Sequence, residues 1–182
     1  MDKIKFATVW LAGCSGCHMS FLDLDEWLFE LAEHIEVVYS PVASDIKEYP
    51  DGVDVCLVEG AIANEENLKL IREVREKTKL LIAFGDCAVT ANVPAMRNLQ
   101  GGTDDTLKRC YLELGDDSRQ LPHAPGIVPE LLDRVRPVQE VVTVDLFLPG
   151  CPPSAQRIQS AIAPLLQGKT PEMSGREMIK FG

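Results

Sequence analysis

The sequence predicts an open α/β fold in which a parallel sheet is covered by helices on both faces. Two observations predict it. Short apolar runs of strand length alternate along the chain with stretches whose apolar residues recur at helical spacing, and that alternation implies parallel strands joined by helical crossovers. The clearest runs, Val53 to Val58 and Leu80 to Phe84, are nearly continuous in their apolar character, as suits strands buried on both faces.

Lys3 to Leu11 reads as the first strand and leads into Ala12-Gly13-Cys14-Ser15-Gly16-Cys17, a turn-forming glycine-containing loop. A helix is expected next, because Leu24, Trp27, Leu28 and Leu31 form one apolar stripe. Ile35 to Tyr39 is the second strand and Val53 to Val58 the third. Glu59-Gly60-Ala61-Ile62 then turns the chain toward a helix capped by Asn64. Glu65 and Glu66 sit in its first turn, where the helix dipole favours negative charge, and Leu68, Ile71 and Val74 supply its buried face. Leu80 to Phe84 is a further strand, followed by Gly85-Asp86-Cys87-Ala88. The last strand is expected over Val141 to Leu148, followed by Pro149-Gly150-Cys151-Pro152-Pro153, and Ile158, Ala161, Ile162 and Leu165 mark a final amphipathic helix. Between these, Asn98 to Pro129 is rich in Gly, Asp and Pro, with one expected helix at Asp104 to Leu114, and reads as an irregular excursion from the sheet.

A chain of 182 residues has room for one ordinary domain and needs no disulfide to make up for a thin core. With 18 Lys and Arg against 28 Asp and Glu, its net charge is −10. That balance argues against nucleic acid, whose phosphates call for clustered cations. The first residues run straight into a strand, without the order of segments that marks export. No apolar run approaches the ~20 residues of a membrane-spanning helix. A cytoplasmic protein is expected, where thiols stay reduced. The six cysteines therefore read as metal ligands, reactive thiols or small core residues.

Cys14, Cys17, Cys87 and Cys151 all lie just beyond the carboxyl end of an expected strand, and in a parallel sheet those ends share one edge. Four thiolates meeting there suit an iron–sulfur cluster or structural zinc. One Cys-x-x-Cys pair joined by two remote single cysteines differs from paired zinc knuckles and favours the larger cluster. Glycines flanking the ligands would let backbone approach sulfide. A thioredoxin-like redox pair at Cys14 and Cys17 would leave Cys87 and Cys151 without a role. Cys56 reads as core of the third strand. Cys110, on a helical face with Leu107, Tyr111 and Leu114, reads as packing.

Together, Cys14-Ser15-Gly16-Cys17, Val58-Glu59-Gly60-Ala61-Ile62, Phe84-Gly85-Asp86-Cys87-Ala88 and Pro149-Gly150-Cys151-Pro152-Pro153 resemble, in order and spacing, the small subunit of [NiFe] hydrogenases and its relative, the 20 kDa subunit of respiratory complex I. The resemblance covers Phe6 to Leu166. It implies a flavodoxin-like open parallel sheet in a single domain, residues 1–168, with a C-terminal tail at 169–182. In that domain Cys14, Cys17, Cys87 and Cys151 would bind one proximal [4Fe-4S] cluster. Ser15 and Gly16 stand where the complex I relative has adjacent cysteines, so the hydrogenase branch fits better. No cysteine follows Cys151, and the compact form is most similar to the small hydrogenase subunit of soluble bidirectional NAD-reducing enzymes. Met19 replaces a glutamate common in hydrogenase small subunits, whose proton-transfer role is not carried over.

The resemblance further implies a relay of electrons through this one cluster, between a NiFe large subunit and diaphorase subunits that carry further Fe–S clusters, flavin and NAD. Hydrogen would be activated on the partner, so no catalytic residue is expected here. His18 is expected either to donate a hydrogen bond to a cluster sulfur, raising its potential, or to be a surface or interface histidine. Glu59 is expected to contact the cluster loop or the large subunit, or to belong to a simple turn. Trp10, Met19 and Phe21 belong to the partner contact or to the core. His34 ends a helix and His123 lies in a Pro-rich loop. FMN has been considered for this subunit in some of the group, but the sequence shows no dedicated site for it. Two other readings stay open: the cluster subunit of a complex I-like or other hydrogenase assembly, and a zinc-stabilised interaction module.

Overall fold

The computed structural model describes residues 3–115 and 119–181. In chain order its elements are β1 (Ile4–Trp10), α1 (Gly16–Leu22), α2 (Trp27–His34), β2 (Ile35–Tyr39), β3 (Val53–Glu59), β4 (Ile62–Asn64), α3 (Glu65–Lys77), β5 (Thr78–Phe84), α4 (Asp86–Thr90), α5 (Thr103–Leu107), β6 (Leu131–Arg136), β7 (Leu146–Leu148) and α6 (Ala155–Leu166). Five strands form one sheet in the order β2-β1-β3-β5-β7, and every pair in it is parallel. Counted along the chain, that is the doubly wound order 2-1-3-4-5 of flavodoxin-like sheets.

The near-continuous apolar runs are explained by burial on two sides. Alternate residues of a strand face opposite ways. Cys56, Val58, Leu81 and Ala83 pack with Ile71 and Val74 of α3, whereas Leu57, Ile82 and Phe84 pack with Leu31 of α2 and Ile158, Ala161 and Ile162 of α6. Asn64 caps α3 as expected, its side chain accepting from Asn67 N–H at 2.7 Å, and Asn67 Oδ1 in turn accepts from Ala63 N–H at 3.2 Å.

Four expectations are corrected. The single helix after the first loop is two helices separated by a turn in which Asp25 has φ 50°. Leu24 is buried in that turn, and Cys17 sits in α1 rather than in the loop. Asp tolerates left-handed backbone better than most residues, which lets the break form there. The last strand is also shorter than Val141 to Leu148. Val138–Glu140 form a 3₁₀ turn, Val141 and Val142 both donate to Val138 O, and only Leu146–Leu148 pair with β5. An apolar run fills the core equally well as a turn, and periodicity alone does not separate the two.

The third correction is an added ribbon: β4 pairs antiparallel with β6, apart from the main sheet. Arg97, in a 3₁₀ stretch at Val93–Leu99, fastens it by donating to Ala63 O and Leu132 O at 3.0 and 2.6 Å. The fourth concerns Cys110, which is exposed rather than packed. The helix expected at Asp104 to Leu114 continues past α5 as π-helix over Lys108–Glu113. Widening the turn to i→i+5 bonding breaks the stripe that would have put Cys110 with Leu107, Tyr111 and Leu114. Among the described residues no helix is long and apolar enough to cross a membrane.

Replacing Asn64 with Ala is expected to lower stability by about 1 kcal/mol, and Asn64→Asp to restore most of it. Urea denaturation checks this through a lower midpoint with an unchanged slope.

Candidate functional site

In a doubly wound sheet, the crevice opens at the carboxyl ends of the strands where the order reverses, because crossovers there leave in opposite directions. Here that point lies between β1 and β3. Cys14 and Cys17 follow β1, Glu59 ends β3, and Cys87 and Cys151 follow β5 and β7. The alternating strand-to-helix connections thus bring all four cysteines of the expected ligand set to one edge.

The edge is built by short backbone contacts. Leu11 N–H donates to Glu59 O at 2.8 Å, and Ala12 and Ala61 exchange hydrogen bonds at 3.0 and 2.8 Å, clamping the β1 loop to the turn after β3. Gly60 makes the clamp possible. At φ +92° its backbone lies so close that a Cβ would stand 2.9 Å from Leu11 C and Ala12 C. Ser15 takes left-handed backbone, φ 64°, at the start of α1, and Gly16 N–H points to Cys14 Sγ at 3.4 Å.

Two carboxylates brace this edge from beneath. Glu59 and His18 are both buried, at 1% and 3% exposure. The Glu59 carboxylate accepts from His18 N–H at 3.1 Å and meets His18 Nδ1 in a short contact. His18 is therefore not a surface histidine. Its ring lies edge-on to Phe84, with centroids 6.4 Å apart, and its Nε2 is buried without a hydrogen-bond partner among the described residues. Asp86 Oδ1 accepts from Gly150 N–H at 2.6 Å, while Asp86 N–H donates to Gly150 O at 2.8 Å, so the first turn of α4, which carries Cys87, and the Cys151 loop are tied reciprocally. Ser20 Oγ donates to Pro153 O at 2.6 Å, joining α1 to the Cys151 loop, and Asn92 Nδ2 reaches Cys151 Sγ at 3.6 Å.

Asp86, Ser20 and Asn92 escaped the sequence reading. Asp86 stands inside the Gly-Asp-Cys motif, which is the one local signal available. Ser20 and Asn92 have none. Trp10 and Met19 are exposed, whereas Phe21 is half-buried and stacks on Phe6. His34 ends α2, and His123 lies exposed in its loop.

The thiols share one electrostatic neighbourhood. Burial pushes the Cys17 thiol well above its ordinary range, with Glu59, Cys87, Cys14 and Cys151 adding to the effect. The Cys87 thiol is pushed up to about 11, by burial first and then by Cys151, Cys14 and Glu59. Each thiolate thus opposes ionisation of the next, and a full set of four calls for positive charge among them. Among the described residues, no three His, Cys, Asp or Glu close to the spacing of a single-ion site. Gly85 supplies a cradle: a Cβ there would overlap Cys17 Sγ. Four soft thiols brought to one edge, with the bare backbone of Gly85 against Cys17 Sγ, fit an iron–sulfur cluster. Cys56 stands apart, fully buried in β3 with its thiol pushed up to about 12 by burial.

Comparison with known proteins agrees with this geometry. Residues 14–165 match the family described as NADH ubiquinone oxidoreductase, 20 kDa subunit. The chain is 42% identical over 173 residues to a subunit of the F420-non-reducing hydrogenase vhu of Methanococcus voltae, covering 94% of this chain and 59% of that protein. Against the NAD-reducing hydrogenase HoxS subunit delta of Cupriavidus necator it is 39% identical over 174 residues, covering 92% and 80%. A chain in the crystal structure of an NAD⁺-reducing [NiFe]-hydrogenase in the H₂-reduced state superposes with a TM-score of 0.92 at 37% identity, over 100% of both chains. The present chain thus spans less than two thirds of the length of the Methanococcus voltae relative.

Gly85 has φ +84° and ψ 163°, a region open essentially to glycine alone, where a side chain costs on the order of 1–3 kcal/mol. Gly85→Ala is expected to displace Cys17 and leave the protein with little bound iron after anaerobic reconstitution. Gly52→Ala, at φ +70° with open space around it, should cost stability but keep its iron. Iron analysis of the two variants side by side checks this.

Proposed function

Because the chain belongs to the family of the 20 kDa subunit of NADH ubiquinone oxidoreductase and the [NiFe] hydrogenase small subunit, we propose that it is the electron-relay subunit of a cytoplasmic, NAD-linked [NiFe] hydrogenase. Cys14, Cys17, Cys87 and Cys151 hold one [4Fe-4S] cluster, passing electrons between a NiFe large subunit and a diaphorase module. The observation that carries this reading is the gathering of four thiols from the segments after three strands, β1, β5 and β7, at the carboxyl edge of the sheet. Support for the NAD-linked branch comes from the hydrogenase chain that matches over its whole length.

When bound, the cluster supplies one-electron transfer without proton chemistry of its own. The chain's residues do the holding. The Glu59 carboxylate fixes α1, and with it Cys17, by accepting the His18 backbone N–H and engaging the ring. Asp86 fixes the spacing of Cys87 and Cys151 through its two bonds to Gly150. Backbone held in this way would keep the four thiols in place whichever oxidation state the bound cluster had. Hydrogen activation belongs to the large subunit.

A second reading is a cluster subunit of a different hydrogenase assembly, and the 42% identity to part of an F420-non-reducing hydrogenase favours it. The subunits that co-purify anaerobically separate the two. A diaphorase and NAD⁺ reduction by H₂ support the first reading, and a complex without them supports the second.

Cys87→Ser and Cys151→Ser should each lose or distort the cluster and abolish H₂-dependent NAD⁺ reduction, whereas Cys56→Ala should keep the cluster and lose only packing energy, roughly 1–2 kcal/mol. Iron and acid-labile sulfide analysis, with EPR of the reduced complex, checks the assignment. Zinc without acid-labile sulfide would overturn it in favour of a structural metal site.

A further inference from the structure

The chain's net negative charge comes largely from one stretch of its sequence. Residues 22–48 hold eight carboxylates against one lysine, −7 of the whole chain's −10. All eight are exposed, and among the described residues none takes part in an ion pair. On α2 and the residue that caps it, Glu26, Glu30 and Glu33 recur at i, i+4 and i+7, forming one stripe of like charge. Such spacing destabilises an isolated helix, and the last turn of α2 offers only His34 in compensation.

An apolar groove of about 300 Å³ lies beside this stripe, lined by Phe21, Leu28, Leu31, Ala32, Ile35 and Val37. At 100° per residue, Phe29 falls between the groove-facing Leu28 and Ala32 and the acidic stripe, and it is 79% exposed. Val37 is 42% exposed on β2, which is an edge strand paired only with β1. An open edge, an apolar groove and a protruding aromatic form a surface that water covers poorly. Lys3 donates to Ala32 O at 2.6 Å, and among the described residues it forms no ion pair with the stripe.

We infer that this face docks a Lys- and Arg-rich amphipathic segment of a partner protein, with its apolar residues in the groove against Phe29 and its cations over Glu26, Glu30 and Glu33. Charge selects the occupant. A second copy of this chain, itself at −10, would set the same acidic stripe against the first, and anionic lipid or nucleic acid would be repelled in the same way. A basic segment relieves the repulsion along α2 while burying the groove.

The test places the photo-cross-linker p-benzoylphenylalanine at position 29 of the full chain in its native assembly, purified from cells that make all partners, and sequences the adduct after irradiation. The expected adduct is with a partner segment in which Lys and Arg outnumber Asp and Glu and alternate with apolar residues. A neutral or acidic segment, a second copy of this chain, or no adduct in an intact assembly would overturn the inference. Two variants add a readout. E26Q/E30Q/E33Q should weaken the assembly on the order of tenfold at low ionic strength, the difference vanishing at high salt. Phe29→Ala should weaken it at both. A triple variant with unchanged affinity at low salt would equally overturn the inference. The cross-link reports on this face alone, so it fails independently of the iron and sulfide analysis.

Discussion

The cysteine edge depends on the buried carboxylate of Glu59. It closes β3, lies at 1% exposure, and reaches across the reversal of strand order to the backbone and ring of His18. A carboxylate in such a place is tolerated only when it is hydrogen-bonded. The contact therefore holds α1 in one position, and Cys17 is carried with it. The clamp between Ala12 and Ala61 does the same for the loop bearing Cys14. Both constraints come from the β3 turn, which contains no cysteine.

Asp86 plays the matching part on the other half of the edge. Its side chain and backbone N–H both engage Gly150, so the start of α4 and the loop after β7 are fixed to each other. Ser20 closes the circuit by joining α1 to Pro153. Each of these bonds links segments far apart in sequence. The thiol positions consequently follow from the whole sheet rather than from any one loop. The mutual rise of the Cys17 and Cys87 thiols has the same origin: burial and the gathering of like groups raise the cost of ionisation until positive charge is supplied.

Carboxylates occur in two physical settings in this chain. The cysteine edge keeps its carboxylates buried and bonded, whereas the α2–β2 face leaves its carboxylates exposed and unpaired. The first arrangement stabilises a site within the chain. The second stores repulsion that an association with a cationic partner releases. A single net charge of −10 therefore describes two physically different populations of acid.

The sequence by itself determined the fold class, the α3 cap at Asn64, the second and third strands, and the separation of Cys14, Cys17, Cys87 and Cys151 from Cys56. These rest on local periodicity, turn residues and position relative to strand ends, and such signals lie within a few residues of one another. Tertiary structure decided what contiguous residues do not encode. It broke the first helix at Asp25, left Val141–Val144 outside the last strand, paired β4 with β6, and exposed Cys110 through a π-helical turn. It also gave Asp86, Ser20 and Asn92 their places beside the cysteines. The physical reason is common to all of them. An apolar run or a polar side chain has several local conformations of similar energy, and long-range burial and hydrogen bonding choose among them.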